Sequence, residues 1–254
     1  ISKILEKVVA SQLHSHLSSN NLYEEFQSGF RPHHSTKTAL TKITNDLLLA
    51  ADSGLLSILI LLDLSAAFDT ISHSILLDRL TSIGISDTAF GWFNSYLSDR
   101  TQFIQIKFFH SQSSPVSTGV PQGSVLGPLL FITYLLPLGY IFRKFGVRFH
   151  CYADDTQLYQ STKPNSTHTP SILTDCLNEL NFLQPNSDKT EIILVGTKNS
   201  VSKSKHLLIP FNNSLLTPSI SFRWCRTRLH VSSLKPSPSP ATAPLAPSQI
   251  THHL

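Results

Sequence analysis

Apolar residues recur at helical spacing through the first nineteen positions. In "ISKILEKVVASQLHSHLSS", Ile1, Ile4, Leu5, Val8, Val9, Leu13 and Leu17 form one stripe, and that period predicts an amphipathic helix. A second stripe, Leu40, Ile43, Leu47 and Leu48, follows a Ser/Thr cap over residues 35–51. Between the two, "YEEFQSGFRPHHST" reads as a polar loop. Residues 55–62, "LLSILILL", are a continuous apolar run that stops at Asp63. Its length and branched residues predict a buried strand. "HSILLDRLTSIG" and "SDTAFGWFNSYLSD" predict two helices, and "QFIQIKF" alternates as a strand does. Residues 147–152 and 156–160 predict a hairpin turning at Ala153-Asp154-Asp155; residues 171–183 predict a helix and 191–195, "EIILV", a strand. Helices and strands mix without regular βαβ alternation and without an internal repeat, which points to an α+β layer fold.

Between Phe108 and Phe142 there is no charged residue, and "VLGPLLFITYLLPLGYIF" is long enough to span a bilayer. Two prolines argue against a span. Pro128 suits the first turn of a helix and Pro137 its end. The turn-rich "STGVPQGS" lies just before the run. The expectation is a helix in a folded core, with no membrane as partner.

Composition adds limits. The 254 residues, 41% hydrophobic, allow one large domain or two modest ones. Three cysteines are odd in number and show neither disulfide nor zinc spacing. With no secretory signal visible, an intracellular setting is expected, in nucleus or cytoplasm. Methionine is absent, so the chain is expected to be a fragment of something longer. The net charge of +4 is unevenly spread: residues 1–191 carry net −3, and residues 192–254 carry seven basic residues and no acid. The positive part ends in "SSLKPSPSPATAPLAPSQITHHL", whose Ser/Pro content predicts an unordered segment. Charge alone therefore makes no case for a nucleic-acid groove.

The stretch "CYADDTQLY" sets Asp154 and Asp155 side by side among apolar and aromatic residues. Adjacent carboxylates repel, and burying them is costly without a positive partner. If this hairpin lies beside the strand ending at Asp63, three carboxylates meet at one sheet edge. Divalent cations would neutralise them, and paired cations serve phosphoryl transfer. An ordinary acidic turn and a strand-ending aspartate account for the same residues, and spacing alone leaves both readings open. The histidines His33, His34 and His150 have no metal spacing and receive no role.

Four longer stretches decide further. "LLDLSAAFDTISHSILLDRL", "GVPQGSVLGPLLFITYLLPL", "HCYADDTQLY" and "NFLQPNSDKTEIILVG" resemble, in this order, the palm motifs of reverse transcriptases. The type most resembled is that of non-LTR, LINE-like retrotransposons. "SKILEKVV" and "EEFQSGFRPHHSTKTAL" resemble the family's fingers motifs. The resemblance covers about residues 1–205.

It implies a right-hand polymerase with an antiparallel palm sheet packed on helices. The implied layout is partial fingers over 1–54, palm with fingers elements over 55–205, and a divergent tail, unordered or frameshifted, over 206–254. The implied activity is RNA- and DNA-templated DNA synthesis, with RNA template, DNA primer and deoxynucleoside triphosphates as partners. Asp63, Asp154 and Asp155 match the metal-binding triad for two Mg²⁺ ions, with Mn²⁺ as a substitute, and the Leu64 carbonyl matches a backbone ligand. Phe68 matches the aromatic gate against a 2′-OH, a device that rejects the wrong sugar by clash. Gln122 and Gly123 match residues lining the nucleotide and template. Arg31 matches the arginine that holds the triphosphate, for which a guanidinium fork suits phosphate oxygens. Lys189 matches a general acid for the leaving pyrophosphate, and Asn186 is similarly placed.

The sequence departs from the pattern in three places. It starts inside the fingers. "CLNELNFLQPNSDKT" is short by about two helical turns, with Pro185 where an apolar residue is usual, which threatens the position of Lys189. After about Ser221, "FRWCRTRLHVSSLKPSPSPATAP" does not resemble the primer-grip region. An inactive remnant with residual nucleic-acid binding is the alternative to an active polymerase.

Overall fold

The protein is described by a computed structural model covering residues 2–31, 34–64, 66–121, 123–164, 166, 168–180, 182–183, 185–204, 206–211, 214–225 and 228–233. These residues form two compact units, each drawn from separate stretches of chain. Of the described residues, the first takes those up to Tyr23 together with Ala66–Leu136; the second takes Glu24–Ser65 and 137–233.

The first unit holds α1 (Ser2–Ser19), α3 (His73–Ser82), α4 (Asp87–Leu97) and α5 (Gly127–Leu135). It also holds four two-residue strands: β2 (Thr101–Gln102), β3 (Gln105–Ile106), β4 (Phe109–His110) and β5 (Ser114–Pro115). Helix α1 forms where its spacing predicts, but only Leu13, Leu17 and Glu6 are buried on it, while Ile4, Leu5 and Val8 are exposed. The buried acid explains the rotation. A carboxylate of Glu6 accepts from the Val125 N–H at 2.7 Å and from the Ser124 hydroxyl at 3.0 Å. It thereby satisfies donors ahead of α5 that burial would otherwise strand.

"QFIQIKF" does not make one strand. It breaks into two short pieces, and Ile106, Phe108 and Phe109 are exposed. Alternation alone does not make a strand when nothing buries one of its faces.

The second unit is built on a six-stranded sheet in the order β12-β11-β8-β1-β7-β6. The strands are β1 (Leu56–Leu62), β6 (Arg148–Tyr152), β7 (Asp155–Thr162), β8 (Glu191–Gly196), β11 (Pro218–Cys225) and β12 (Arg228–Ser233). All neighbours are antiparallel except β11 on β8. Helices α2 (Thr36–Asp52), α6 (Pro137–Lys144), α7 (His168–Asn178) and α8 (Lys198–Lys203), and the hairpin β9 (Ile209–Phe211) and β10 (Ser214–Leu216), complete it.

The sheet has an apolar set on each face. Ile43 and Leu47 of α2 pack with Leu59, Tyr159, Ile193 and Val195. Register sets Leu59 opposite both Tyr159 and Ile193, so these side chains share a face. On the other face Ile58, Ile60, Leu158, Ile192 and Leu194 are also buried. Two buried faces explain why residues 55–62 read as a continuous apolar run rather than an alternation. The Tyr159 hydroxyl donates to Asp46 at 2.7 Å, which satisfies the polar end of a ring otherwise enclosed.

The apolar run after "PQGS" is divided at Pro137. Pro128 sits in the first turn of α5, and Pro137 opens α6 rather than merely ending a helix. Among the described residues, no helix is long and apolar enough to cross a membrane.

A divergent tail, unordered or frameshifted, is expected over 206–254. Among its described residues are strands β9 to β12, with Ile209, Phe211 and Leu216 buried. Composition over the whole tail is dominated by its Ser/Pro-rich end, which hides this apolar part. Residues 234–254, the rest of that expectation, lie outside the described residues.

Ile60 is fully buried on the central strand. Ile60→Ala should cost about 2–5 kcal/mol, measured as a lower midpoint with unchanged slope in urea unfolding.

Candidate active site

Three of the sequence-selected aspartates meet at one end of the sheet. Strand β1 pairs with β7 from Leu56↔Thr162 to Leu62↔Thr156. One step further along this register places Asp63 opposite Asp155. Strands β6 and β7 are themselves a hairpin closed by the Tyr152↔Asp155 pair, which leaves Ala153 and Asp154 as a two-residue turn. Ala153 has φ +57°, the left-handed region in which a side chain is strained.

Asp63 and Asp154 are half-buried and Asp155 is exposed. The carboxyl of Asp155 is held above its usual range, first by partial desolvation, then by the charges of Asp154 and Asp63. Asp155 therefore lies within electrostatic reach of both other acids. Among the described residues, no three His, Cys, Asp or Glu side chains are gathered into a ready metal cage. Magnesium does not require one, because it binds through one or two carboxylates and completes its shell with water and substrate phosphates.

The turn that carries Lys189 is fixed to the same strand end. The Asn186 N–H donates to the Asp63 carbonyl at 3.0 Å, and Leu64 bridges Pro185. Proline has no N–H, so this bond uses the Asp63 carbonyl and not that of Leu64. The Asn186 side chain accepts from the Asp188 N–H at 2.9 Å, and its carbonyl accepts from Thr190. Lys189 is exposed on the resulting turn. Pro185, which threatened its position, is thus a point of attachment.

The remaining candidates are placed differently. The Arg31 guanidinium donates to the carbonyls of Glu24 at 2.8 Å and Gln27 at 3.1 Å, bracing its own loop. Phe68 and Gly123 belong to the other compact unit. There Phe68 stacks on Phe131 with centroids 4.7 Å apart. Gly123 is exposed at φ +75°, and its carbonyl accepts from Lys3 at 3.2 Å. Gln122 lies outside the described residues.

Sequence reading missed the support beneath the hairpin. Residues 26–28 lie alongside β6: Cys151 N–H donates to the Phe26 carbonyl and Ser28 N–H to that of Cys151, both at 2.8 Å. The Ser28 hydroxyl lies 2.8 Å from His150 Nε2. Burial and the nearby Lys42 and His34 charges lower the His150 pKa, and burial pushes the Cys151 thiol up to about 12. Both are thus held neutral near pH 7. "EEFQSGF" carried no periodic signal that would have revealed this lateral pairing.

The family description for reverse transcriptase (RNA-dependent DNA polymerase) matches residues 1–227. The chain belongs to the reverse transcriptase family. The match runs past residue 205, where the visible motifs end. The "Probable RNA-directed DNA polymerase from transposon BS" of Drosophila melanogaster is 30% identical over 138 residues, 54% of this chain and 15% of that protein. The RNA-directed DNA polymerase from mobile element jockey of the same organism is 28% identical over 169 residues, 64% of this chain and 18% of that protein. The resemblance to LINE-like reverse transcriptases therefore holds, and the chain matches less than a fifth of these relatives' lengths.

Solved structures of telomerases share the fold of this reverse transcriptase chain. Apo telomerase from Candida tropicalis aligns with a TM-score of 0.57 at 16% identity, covering 92% of this chain and 45% of that one. Telomerase from Candida albicans, solved in complex with a fragment of telomeric RNA, gives 0.57 at 14% identity, covering 84% and 36%.

Because its folded-state pKa is raised, Asp155 favours the fold when protonated and loses that contribution as pH rises through the raised value. Asp155→Asn should therefore melt higher than the parent at pH 7 in chelator-treated buffer. The difference should shrink below about pH 4, where the parent is protonated too. Paired thermal melts across that range measure it.

Proposed function

We propose that the second compact unit carries the palm of an RNA-directed DNA polymerase and that the end of β1 and the β6–β7 turn form its catalytic centre. The observation that carries this reading is the register that sets Asp63 beside the Asp154–Asp155 hairpin. On this reading the first unit contributes fingers elements. The partners are an RNA template, a DNA primer and deoxynucleoside triphosphates.

Asp63, Asp154, Asp155 and the Leu64 carbonyl would hold Mg²⁺, or Mn²⁺ in its place. Their fit rests on three mutually repelling acids at an open sheet end, one with its pKa raised. Two bound cations would activate the primer hydroxyl and stabilise the departing pyrophosphate oxygen.

The protein's own groups do the rest. Lys189 presents an ammonium that donates a proton to the pyrophosphate as it leaves. Its turn is tied to the Asp63 backbone, so acid and carboxylates are fixed to one strand end. Arg31 receives the triphosphate with its guanidinium fork, which requires it to exchange a carbonyl partner for phosphate oxygens. Phe68 is, by its match to the family's gate, the candidate for rejecting a 2′-OH. Gln122 and Gly123 are, by their match to the family's motif, the candidates for lining nucleotide and template, where a glycine permits close approach.

Primer extension on a poly-rA/oligo-dT duplex with Mg²⁺ or Mn²⁺ tests the proposal. Extension is expected and should fall roughly a hundredfold or more in Asp154→Asn. If no metal concentration gives extension, the chain is a non-catalytic remnant with at most residual nucleic-acid binding.

A further inference from the structure

Gln27 is an uncharged polar side chain, yet it is only 3% exposed. It lies on the segment beside β6, in a parallel bridge with Cys151. Its Oε1 accepts from the Ala153 N–H at 2.9 Å and from the Gly29 N–H at 2.8 Å. Its Nε2 donates to the Ala153 carbonyl at 3.0 Å. Two N–H donors on one atom and a carbonyl on the other fix which way the carboxamide faces.

The carboxamide thus binds both polar groups of one peptide residue, as a neighbouring strand would. That residue is the strained one at φ +57°, immediately before Asp154. In a two-residue turn no further strand is available to pair with it, so the side chain supplies the missing partner. Gly29 makes the approach possible. A Cβ at that position would stand 2.1 Å from the Ala153 nitrogen and 2.6 Å from its Cα. Arg31 also bonds this segment, through the Glu24 and Gln27 carbonyls.

We infer that Gln27 is a positioning residue: it clamps the 153–154 turn and so sets the Asp154 and Asp155 carboxylates for cation binding. The inference rests on the catalytic-centre reading given above. Gln27 itself touches no reacting atom. Its effect passes through a main chain whose left-handed residue would otherwise relax.

Gln27→Met keeps length and bulk but cannot form the three bonds. Hydrogen exchange followed by NMR should show the Ala153 and Gly29 N–H groups losing protection roughly tenfold or more. The Cys151 and Ser28 N–H groups, bonded to backbone, should keep theirs. Binding of Mn²⁺ alone, followed by the paramagnetic resonance of the free ion, should weaken roughly tenfold, the usual effect of losing an outer-shell partner. Ser28→Ala, which removes a neighbouring buried contact but none to the turn, should keep the parent affinity. Should Gln27→Met not fold, Gln27→Asn falls a methylene short of the turn and is expected to show the same losses.

Unchanged protection at Ala153 would show there is no clamp. Lost protection with unchanged Mn²⁺ affinity would reduce Gln27 to a structural residue, and either result overturns the inference. Mn²⁺ binding that survives Asp154→Asn would instead remove the catalytic-centre reading, and the inference with it.

Discussion

Everything at the candidate centre depends on the pairing of β1 with β7. Side chains alternate between faces along a strand, so a slip of one residue exchanges the faces entirely. Here neither face can accept the exchange. Ser57 is fully buried opposite Ser161, with their hydroxyls 2.8 Å apart, and it occupies the face of Leu59. A slip would separate this hydroxyl pair and break the packing beneath α2. The apolar register thus decides where the charges fall. Mutual repulsion of Asp63, Asp154 and Asp155 is tolerated because it occurs where the buried strand ends.

The polar features around the sheet share a second property. Loops are held by groups that imitate or use the main chain. The Asp63 carbonyl receives the Asn186 N–H, and residues 26–28 run beside β6. In the other unit a Glu6 carboxylate takes the N–H groups ahead of α5. A side chain acting on backbone does not depend on its neighbours' identity, so such bonds fix geometry while leaving nearby side chains free for chemistry. Among the described residues, Glu24 with Arg143 is a charge pair of comparable reach. It forms a two-point contact at 2.9 and 2.5 Å, over Gly139, where a Cβ would strike the Glu24 carboxylate.

Much of this architecture could be read from the sequence because it is written in periodicity. The strand at 56–62, the hairpin around Ala153 and the helices at 2–19 and 36–52 follow from apolar spacing and caps. Capping Ser35 indeed accepts from the Thr38 N–H. The aspartates were visible because an acid at the end of an apolar run is conspicuous. What could not be read was lateral support. Gln27, Gly29 and Asn186 act across more than a hundred residues of sequence, and no local pattern encodes that. The outward turn of Ile4, Leu5 and Val8 was hidden for a related reason: one buried carboxylate outweighed a stripe of aliphatic residues. Strand β11 was missed because the Ser/Pro-rich end dominated the composition of its surroundings.

The sheet order also bears on how safely the chain exists in solution. At one border the outer side of β6 is paired by residues 26–28, so that edge is blunted. Toward the other border, β11 lies along β8, whose sequence is "EIILVG". Unpaired backbone beside such an apolar, branched segment is a template for association with other chains. A chain cut before residue 218 would keep every aspartate but bare that edge. Strand β11 thus acts as a cover, and shortening the protein to its recognisable motifs would leave the β8 edge open to pairing with other copies.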